Sequence, residues 1–190
     1  MVTDRPPRIA ALRAQFLASD ELRSLPVPSD DSLAVAAKSL ELALGAGTTS
    51  SVRQACANFL TLASQFYEVG RPGIRVLEAR PLRVREGGGT TELFGDYTPE
   101  TLVIRVWMRT AVRQQITSFG TFLSTLCHEF CHHLDYHRFR YRDSWHTRGF
   151  YERTAALYHH ARGTPPKRLF WVPIRGGCWR IDWARTNRGR

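Results

Sequence analysis

Two histidines four residues apart, set in a helical pattern of apolar residues, limit the folds open to this chain. The stretch HEFCH gives the pattern H-E-x-x-H, with His128 and His132 at its ends, inside a segment of helical periodicity from about Phe119 to Tyr136. Residues four apart on an α-helix are separated by about 40°, so both imidazoles face one side. The other side is apolar, which predicts a buried helix with one polar stripe. Its apolar residues are Leu123, Leu126, Cys127, Phe130, Cys131 and Leu134.

The same pair predicts a metal site. Two imidazoles at this spacing supply two of the nitrogen ligands that tetrahedral zinc takes at about 2.0–2.1 Å. Glu129 lies about 100° around the helix from His128 and about 60° from His132. It can therefore reach a water at the metal without acting as a ligand, and it is the candidate catalytic residue, a general base and acid. The simpler alternative is that both histidines are ordinary polar residues of an exposed helix face.

A catalytic zinc site takes a third protein ligand and keeps one position open. His146 follows His132 by 14 residues, at the predicted start of the next helix, and Phe150 one turn later could pack into the core and orient it. Glu152 follows His132 by 20 residues and lies on that same helix. We favour His146 as the third ligand, and Glu152 stays open as a ligand or as a carboxylate that orients a histidine.

Other residues near the motif carry weaker signals. His133 and His137 point away from the metal stripe, which favours a surface or supporting role. Cys127 and Cys131 are four apart and could bind metal, but they lie on the apolar side of the helix. The hydroxyls of Tyr136 and Tyr158 could bind an oxyanion, although tyrosines on amphipathic helices are more often packing residues. His159 and His160 are interpreted as structural residues near a helix end.

These motifs together resemble the SprT-like zinc metallopeptidases, the Spartan-related zincins. In that family H-E-x-x-H is followed, after a short basic or aromatic loop, by a histidine with an aromatic residue four positions later. The matching positions here are His128, Glu129, His132, His146 and Phe150. The segment FGDYTPETLVIRVWM is similar to the turn and edge strand that precede the active-site helix, so the resemblance covers about residues 59–161. It implies a zincin-like fold, a zinc cofactor with His128, His132 and His146 as ligands, and a protein or peptide substrate.

The rest of the chain fits one α+β domain. Helical patterns are predicted near 33–44, 51–69, 119–136 and 147–161, with a weak one at 9–17 and strand-like alternation over 74–108. We expect helices packed on a small, mainly antiparallel sheet, with the active-site cleft between an edge strand and the H-E-x-x-H helix. The expected organisation is an N-terminal segment (1–30), a zincin-like metallopeptidase domain (31–161) and a basic, aromatic C-terminal tail (162–190) packed on that domain.

The chain is strongly basic, with a formal net charge of +10. The tail contributes eight basic residues against Asp182 alone, interleaved with Phe170, Trp171, Trp179 and Trp183. Basic and aromatic residues in alternation suit single-stranded nucleic acid, through phosphate contacts and base stacking. The alternative is that the aromatic residues close the domain core and the arginines are solvated.

Three sequence features that bear on the cellular compartment of the protein agree with one another. No apolar run approaches the roughly 18 residues of a transmembrane helix, and the first 25 residues lack the apolar core of a signal peptide. The four cysteines are too few and too unevenly spaced for a disulfide framework. We therefore expect a cytoplasmic protein that does not act on membranes.

Three functions are open on these grounds. The first is a zinc metallopeptidase in which Glu129 transfers the proton. The second is a nucleic-acid-associated protein, either a protease of DNA-bound proteins or mainly a binding module that uses the basic tail. The third is a domain with a purely structural metal, which a closed four-ligand site would support.

Overall fold

The structure is a computed structural model that describes residues 1–84, 88–141 and 143–189. Within these residues the chain forms six helices and seven strands, in an α+β arrangement. None of the helices is long and apolar enough to cross a membrane. In chain order they are α1 Ala10–Glu21, α2 Ser32–Ala46, α3 Thr49–Phe66, β1 Gly73–Ala79, β2 Leu82–Val84, β3 Thr90–Glu92, β4 Gly95–Thr98, β5 Val103–Arg109, α4 Phe119–His137, α5 Arg148–Arg162, β6 Trp171–Ile174, β7 Cys178–Ile181 and α6 Trp183–Arg188.

The helices predicted from periodicity are confirmed to within a few residues. One core joins α2, α3, α4 and α5 to the sheet, because each helix presents an apolar stripe to its neighbours. The α4 stripe predicted from sequence is buried, with Leu123, Leu126 and Phe130 completely inaccessible to solvent. The weak pattern at 9–17 is a longer helix, α1, which packs on α5. The polar face of α4 therefore points toward β4 and the start of α5.

The main sheet is mixed, which corrects the expectation of a mainly antiparallel one at the site. Its strand order is β1-β5-β4, with β1 parallel to β5 (Ile74 beside Ile104) and β4 antiparallel to β5 (Gly95 beside Val106). The edge strand is β4, formed by residues that were expected to make a turn, and the expected edge strand TLVIRVWM is instead β5, the central strand of the sheet. In a mainly antiparallel sheet, β1 would pair with the next strand along the chain. Instead, β2 and β3 form a separate two-stranded sheet, and this excursion lets the chain return to run beside β1 in the same direction. The end of the predicted strand, at residues 85–87, lies outside the described residues.

The first residues of the chain and the C-terminal β6–β7 segment both lie against α5 and close to α4. Strands β6 and β7 pair antiparallel around Arg175–Gly177. The first residues of the chain extend this hairpin: Thr3 N–H donates to Trp179 O (2.8 Å), and Ile181 N–H donates to Met1 O (3.2 Å). Trp171 on β6 packs against the core. The N-terminal segment and the tail thus border the same site.

Candidate metal centre

Three imidazoles meet between α4 and the start of α5. The Nε2 atom of His128 lies 3.0 Å from Nε2 of His146 and 3.2 Å from Nε2 of His132. All three side chains are half-buried, and the ring of the fully buried Phe150 packs against each of them, with centroids 4.5–5.2 Å apart. The sequence therefore predicted correctly which three histidines come together, and Phe150 supports them as expected.

The Nδ1 atom of His132 is held by a chain of polar groups. It lies 2.7 Å from Ser144 Oγ, whose hydroxyl donates to Asp135 Oδ2 at 2.8 Å. Asp135 also accepts a hydrogen bond from Arg153 (2.8 Å), and both side chains are buried. Burial raises the pKa of Asp135, while Arg153 and Ser144 oppose the rise. Because the Ser144 proton goes to Asp135, Ser144 must accept from Nδ1–H of His132, which leaves Nε2 as a bare lone pair.

His146 is oriented by a carboxylate from the far end of the chain. Oδ2 of Asp4 accepts from the backbone N–H of His146 at 2.8 Å and lies 3.3 Å from its Nδ1. These hydrogen bonds from His146 hold the pKa of Asp4 below its usual value, so it is a carboxylate at neutral pH. A carboxylate cannot donate, and Nδ1 of His146 therefore carries the proton. In the neutral ring, which is the form that binds a metal, Nε2 is then a second bare lone pair facing His128.

This tautomer pattern fits a cation at the centre. Burial, reinforced by His146, lowers the pKa of His128 to about 3, and burial also lowers the pKa of His132 well below its usual value, so both rings are neutral. A proton on Nε2 of His128 could form a hydrogen bond with the lone pair of His132 or with that of His146, but not with both. A metal ion would satisfy all three nitrogens, and ligands at 2.0–2.1 Å from a tetrahedral ion are about 3.3 Å apart. The three histidines could therefore hold a metal ion.

Glu129 lies beside this cluster, between α4 and the edge strand. Its side chain is buried, and that burial, together with the charge of Asp96, raises its pKa to about 8. A Cβ atom on Gly95 of β4 would lie 3.0 Å from both Cγ and Oε1 of Glu129 and 2.5 Å from Cγ2 of Thr125. Only glycine at this position lets the strand approach the carboxylate so closely. A divalent cation held by the histidines would lower the pKa of Glu129.

The side chains considered as alternative metal ligands have other partners or face the core. Glu152 does not join the histidine group: its Oε1 accepts from Trp171 Nε1 (2.8 Å) and from Arg23 Nη1 (3.4 Å). Cys127 and Cys131 face the core, and burial raises the pKa of both thiols. In the described part of the chain, the three histidines are the one group of three or more metal-binding side chains.

A polar cluster on the next turns of α4 was not expected in this form. His133 is almost completely buried, and its Nε2–H donates to Gly70 O at 2.7 Å. Its Nδ1 therefore accepts from the Tyr97 hydroxyl (2.9 Å), which also lies 3.2 Å from Nε2 of His137. Tyr97 belongs to β4, so this cluster connects the edge strand to α4, the helix that carries His128 and His132. The two histidines thus have a supporting role rather than one as ligands.

Several contributors to the site carried no sequence signal. Asp4 is 142 residues from His146, and nothing in its neighbourhood marks it as a partner. Ser144 and Asp135 lie close to the motif, and their spacing to His132 could have suggested a support for it. Gly95 was included in the segment that resembles the SprT-like family, but its contact with Glu129 was not anticipated.

The site opens into one cavity of about 980 Å³. Strand β4 and the residues around it form one wall, and the polar face of α4, with His128, Glu129 and His132, lies behind. Helix α5 and the C-terminal segment form the opposite wall, where Tyr151 and Trp183 line the cavity. The cleft predicted between the edge strand and the H-E-x-x-H helix is therefore present.

We expect the Asp4→Ala variant to bind zinc about 10–100-fold more weakly, because a carboxylate that orients a histidine ligand typically contributes that much to affinity. The measurement is competition with a chromophoric chelator at pH 7.5, next to Asp30→Ala as a control in an exposed loop. Equal zinc affinity in Asp4→Ala and the unmodified chain would show that the contact with His146 does not support a metal ligand.

No family model, no curated protein and no solved structure matches this chain. The resemblance to the SprT-like zinc metallopeptidases therefore stays a prediction that rests on residues of the chain itself. What the site can do follows from the side chains around the three imidazoles and from the cavity that reaches them.

Proposed function

We propose that this chain is a zinc-dependent peptidase of the SprT-like, zincin-like kind. The observation that carries the proposal is the convergence of three imidazole Nε2 atoms beside a buried glutamate, under an edge strand and in an open cavity. Each element has a part in peptide hydrolysis. The arrangement is hard to account for as an ordinary polar helix face, since the lone pairs of neutral imidazoles converge there.

Zinc is the metal that suits this donor set best. Three neutral imidazole nitrogens with one position left open form a common catalytic zinc site, whereas magnesium and calcium take oxygen ligands. Within the described residues no fourth histidine, cysteine or carboxylate joins the group. This favours a catalytic site over the closed four-ligand site of a structural metal.

Glu129 is the group that transfers the proton. A zinc ion held by His128, His132 and His146 would polarise the scissile carbonyl and lower the pKa of the attacking water. Glu129 accepts a proton from that water and later donates it to the leaving amine. Its burial excludes competing water, and its neighbour Gly95 fixes its distance from the strand along which the substrate lies.

The edge strand provides the way to bind a peptide. Strand β4 pairs with β5 on one side only, and residues 92–97 line the cavity on the other. An extended peptide can add to such an edge through main-chain hydrogen bonds, which give affinity without demanding one sequence. The Tyr97 cluster holds this strand against α4, so that a bound peptide lies next to Glu129.

The proposal is tested by the cleavage of an unfolded protein such as casein. The zinc-loaded chain is compared with its Glu129→Gln variant, which keeps all three imidazoles and lacks the proton acceptor. New amino groups report each cleaved peptide bond.

A Gly95→Ala change is expected to lower kcat/KM for peptide hydrolysis by roughly 100-fold while zinc content stays the same. The added methyl group would meet Glu129 and Thr125 at 2.5–3.0 Å, so either the carboxylate or the strand must shift, and displacements near 1 Å have effects of this size. Gly45→Ala is the matched control, because its Cβ meets nothing within 4 Å. Unchanged kcat/KM in a folded Gly95→Ala protein would contradict the assigned role of the Gly95–Glu129 contact.

Nucleic-acid binding by the tail stays a prediction from charge. Three of the tail's aromatic side chains have internal partners: Trp171 donates to Glu152, and the Arg148 guanidinium lies 4.3 Å from the ring centroid of Trp179. Phe170 lies against the guanidinium of Arg185, at 4.6 Å. The described contacts therefore favour the peptidase as the first function to test.

A further inference from the structure

The cavity continues well past the three histidines along one face of α5. The residues of α5 that line it are Tyr151, Thr154, Ala155, Tyr158 and His159, which recur at helical spacing. The ring of Tyr151 stacks on His146, with centroids 5.8 Å apart, so this end of the face marks the metal site. The other end of this face, at His159, is eight residues further along α5 and therefore about 12 Å away. That distance corresponds to about three or four residues of an extended peptide.

The C-terminal segment forms a fixed wall opposite this face. Leu169, Ile181 and Trp183 give it an apolar surface, and Trp183 is 45% exposed. Hydrogen bonds hold the segment together: Phe170 N–H donates to Thr186 Oγ1 (3.1 Å), and Asp182 N–H donates to Phe170 O (2.8 Å). The indole of Trp171 is tied to Glu152 on α5. The tail is thus part of the cleft rather than a loose basic arm.

The acidic and the basic side chains that line the cavity lie on different sides of it. The acidic side chains Glu92, Asp96 and Glu129 all belong to the β4 and α4 side, where Glu92 pairs with Arg80 and Asp96 with Arg105. On the tail side, among the residues that the structure describes, Lys167 is the charged side chain that lines the cavity. That end of the cavity therefore has a positive potential and repels cationic groups.

Lys167 and Asn187 offer donors without an acidic partner. Lys167 Nζ donates to Asn187 Oδ1 at 3.4 Å, and in the part of the chain that the structure describes no carboxylate forms a salt bridge with it. Since Oδ1 accepts from the lysine, the amide NH₂ of Asn187 is the group that remains to donate. An ammonium and an amide N–H side by side are suited to bind the two oxygens of a carboxylate.

We propose that Lys167 and Asn187 form a carboxylate-binding subsite at the far end of the cleft, about three or four peptide residues from the metal. The ligand is a substrate carboxylate, either an acidic side chain or the C-terminal carboxylate of a peptide. The apolar surface of Leu169, Ile181 and Trp183 packs against the intervening residues. This inference rests on the proposed peptidase function, because it assigns the substrate class of the same cleft.

The subsite is tested by binding, in the zinc-loaded Glu129→Gln protein, so that cleavage does not interfere. The probes are fluorescent eight-residue peptides in two series: amidated peptides with glutamate or glutamine scanned through each position, and one peptide with a C-terminal acid or amide. Fluorescence anisotropy gives each Kd. A carboxylate at the right position is expected to bind about two- to fivefold more tightly than its amide, because Lys167 is exposed and water screens an exposed charge pair. The series that shows the difference identifies the source of the carboxylate.

Charge substitutions at Lys167 then decide the assignment. Lys167→Gln should remove the preference for the acid, and Lys167→Glu should reverse it in favour of the amide. Lys38→Gln, on the exposed face of α2, is the matched control and should leave the preference intact. Equal binding of acid and amide by the parent protein, an unchanged ratio in Lys167→Glu, or no binding of any peptide would overturn the subsite. A retained preference without any cleavage by the zinc-loaded parent chain would instead contradict the peptidase proposal alone.

Discussion

Replacing Glu129 with glutamine is expected to reduce casein cleavage to below about 1% of the parent rate, because positioned general bases contribute about 10²–10⁴-fold. Glutamine has nearly the same shape, so the contact with Gly95 and the packing of α4 are kept. Its amide cannot accept the water's proton. The rate of new amino-group formation at saturating zinc is the measurement.

The controls for this result separate chemistry from structure. Zinc content should be equal in Glu129→Gln and the parent chain, since Glu129 does not belong to the group of three metal-binding side chains. Glu41→Gln, a similar change on the exposed side of α2 where Glu41 pairs with Lys38, should cleave at the parent rate. Cleavage by Glu129→Gln within a few-fold of the parent would show that another group transfers the proton.

Removing any one of the three imidazoles is expected to empty the metal site. His128→Ala, His132→Ala and His146→Ala each leave two nitrogens, and the loss should exceed the roughly 10–100-fold typical of a residue that only orients a ligand. At micromolar protein, zinc per chain should fall from about one to below about 0.1 after gel filtration. Metal analysis by mass spectrometry is the readout, with His160→Ala as a histidine control outside the cavity.

The part of the site that lies within α4 could be predicted because helical geometry is local. The spacing of His128, Glu129 and His132 fixes their relative directions once the segment is helical, and the apolar stripe fixes which side is buried. His146 was predicted from a resemblance and from its place before a helix. Phe150 is buried against all three rings, as that placement required.

The contributions that could not be predicted are non-local. Asp4 reaches His146 only because the first residues of the chain extend the β6–β7 hairpin next to α5. The parallel pairing of β1 with β5 depends on where the β2–β3 excursion returns the chain, which turn residues alone do not specify. The Gly95 contact likewise requires the sheet to be placed on α4 before it can be seen.

The role of the C-terminal tail also could not be predicted from the sequence alone. Its basic and aromatic composition suggested a nucleic-acid surface, because composition reports which side chains are available but not which partners they have. In the structure Trp171 and Trp179 contact Glu152 and Arg148, and the segment closes one wall of the cavity. Contacts across more than a hundred residues, such as those of Thr3 with Trp179, determine that arrangement.

We propose that three histidines, and not Glu152, hold a zinc ion in this cleft. The most direct measurement is the zinc content of His146→Ala beside that of Glu152→Ala, purified together with the parent chain. We predict about one zinc per chain in the parent and in Glu152→Ala, and below about 0.1 in His146→Ala. Glu152 should be dispensable because its carboxylate is bound to Trp171 and Arg23. Retention of zinc in His146→Ala together with its loss in Glu152→Ala would contradict the three-histidine centre.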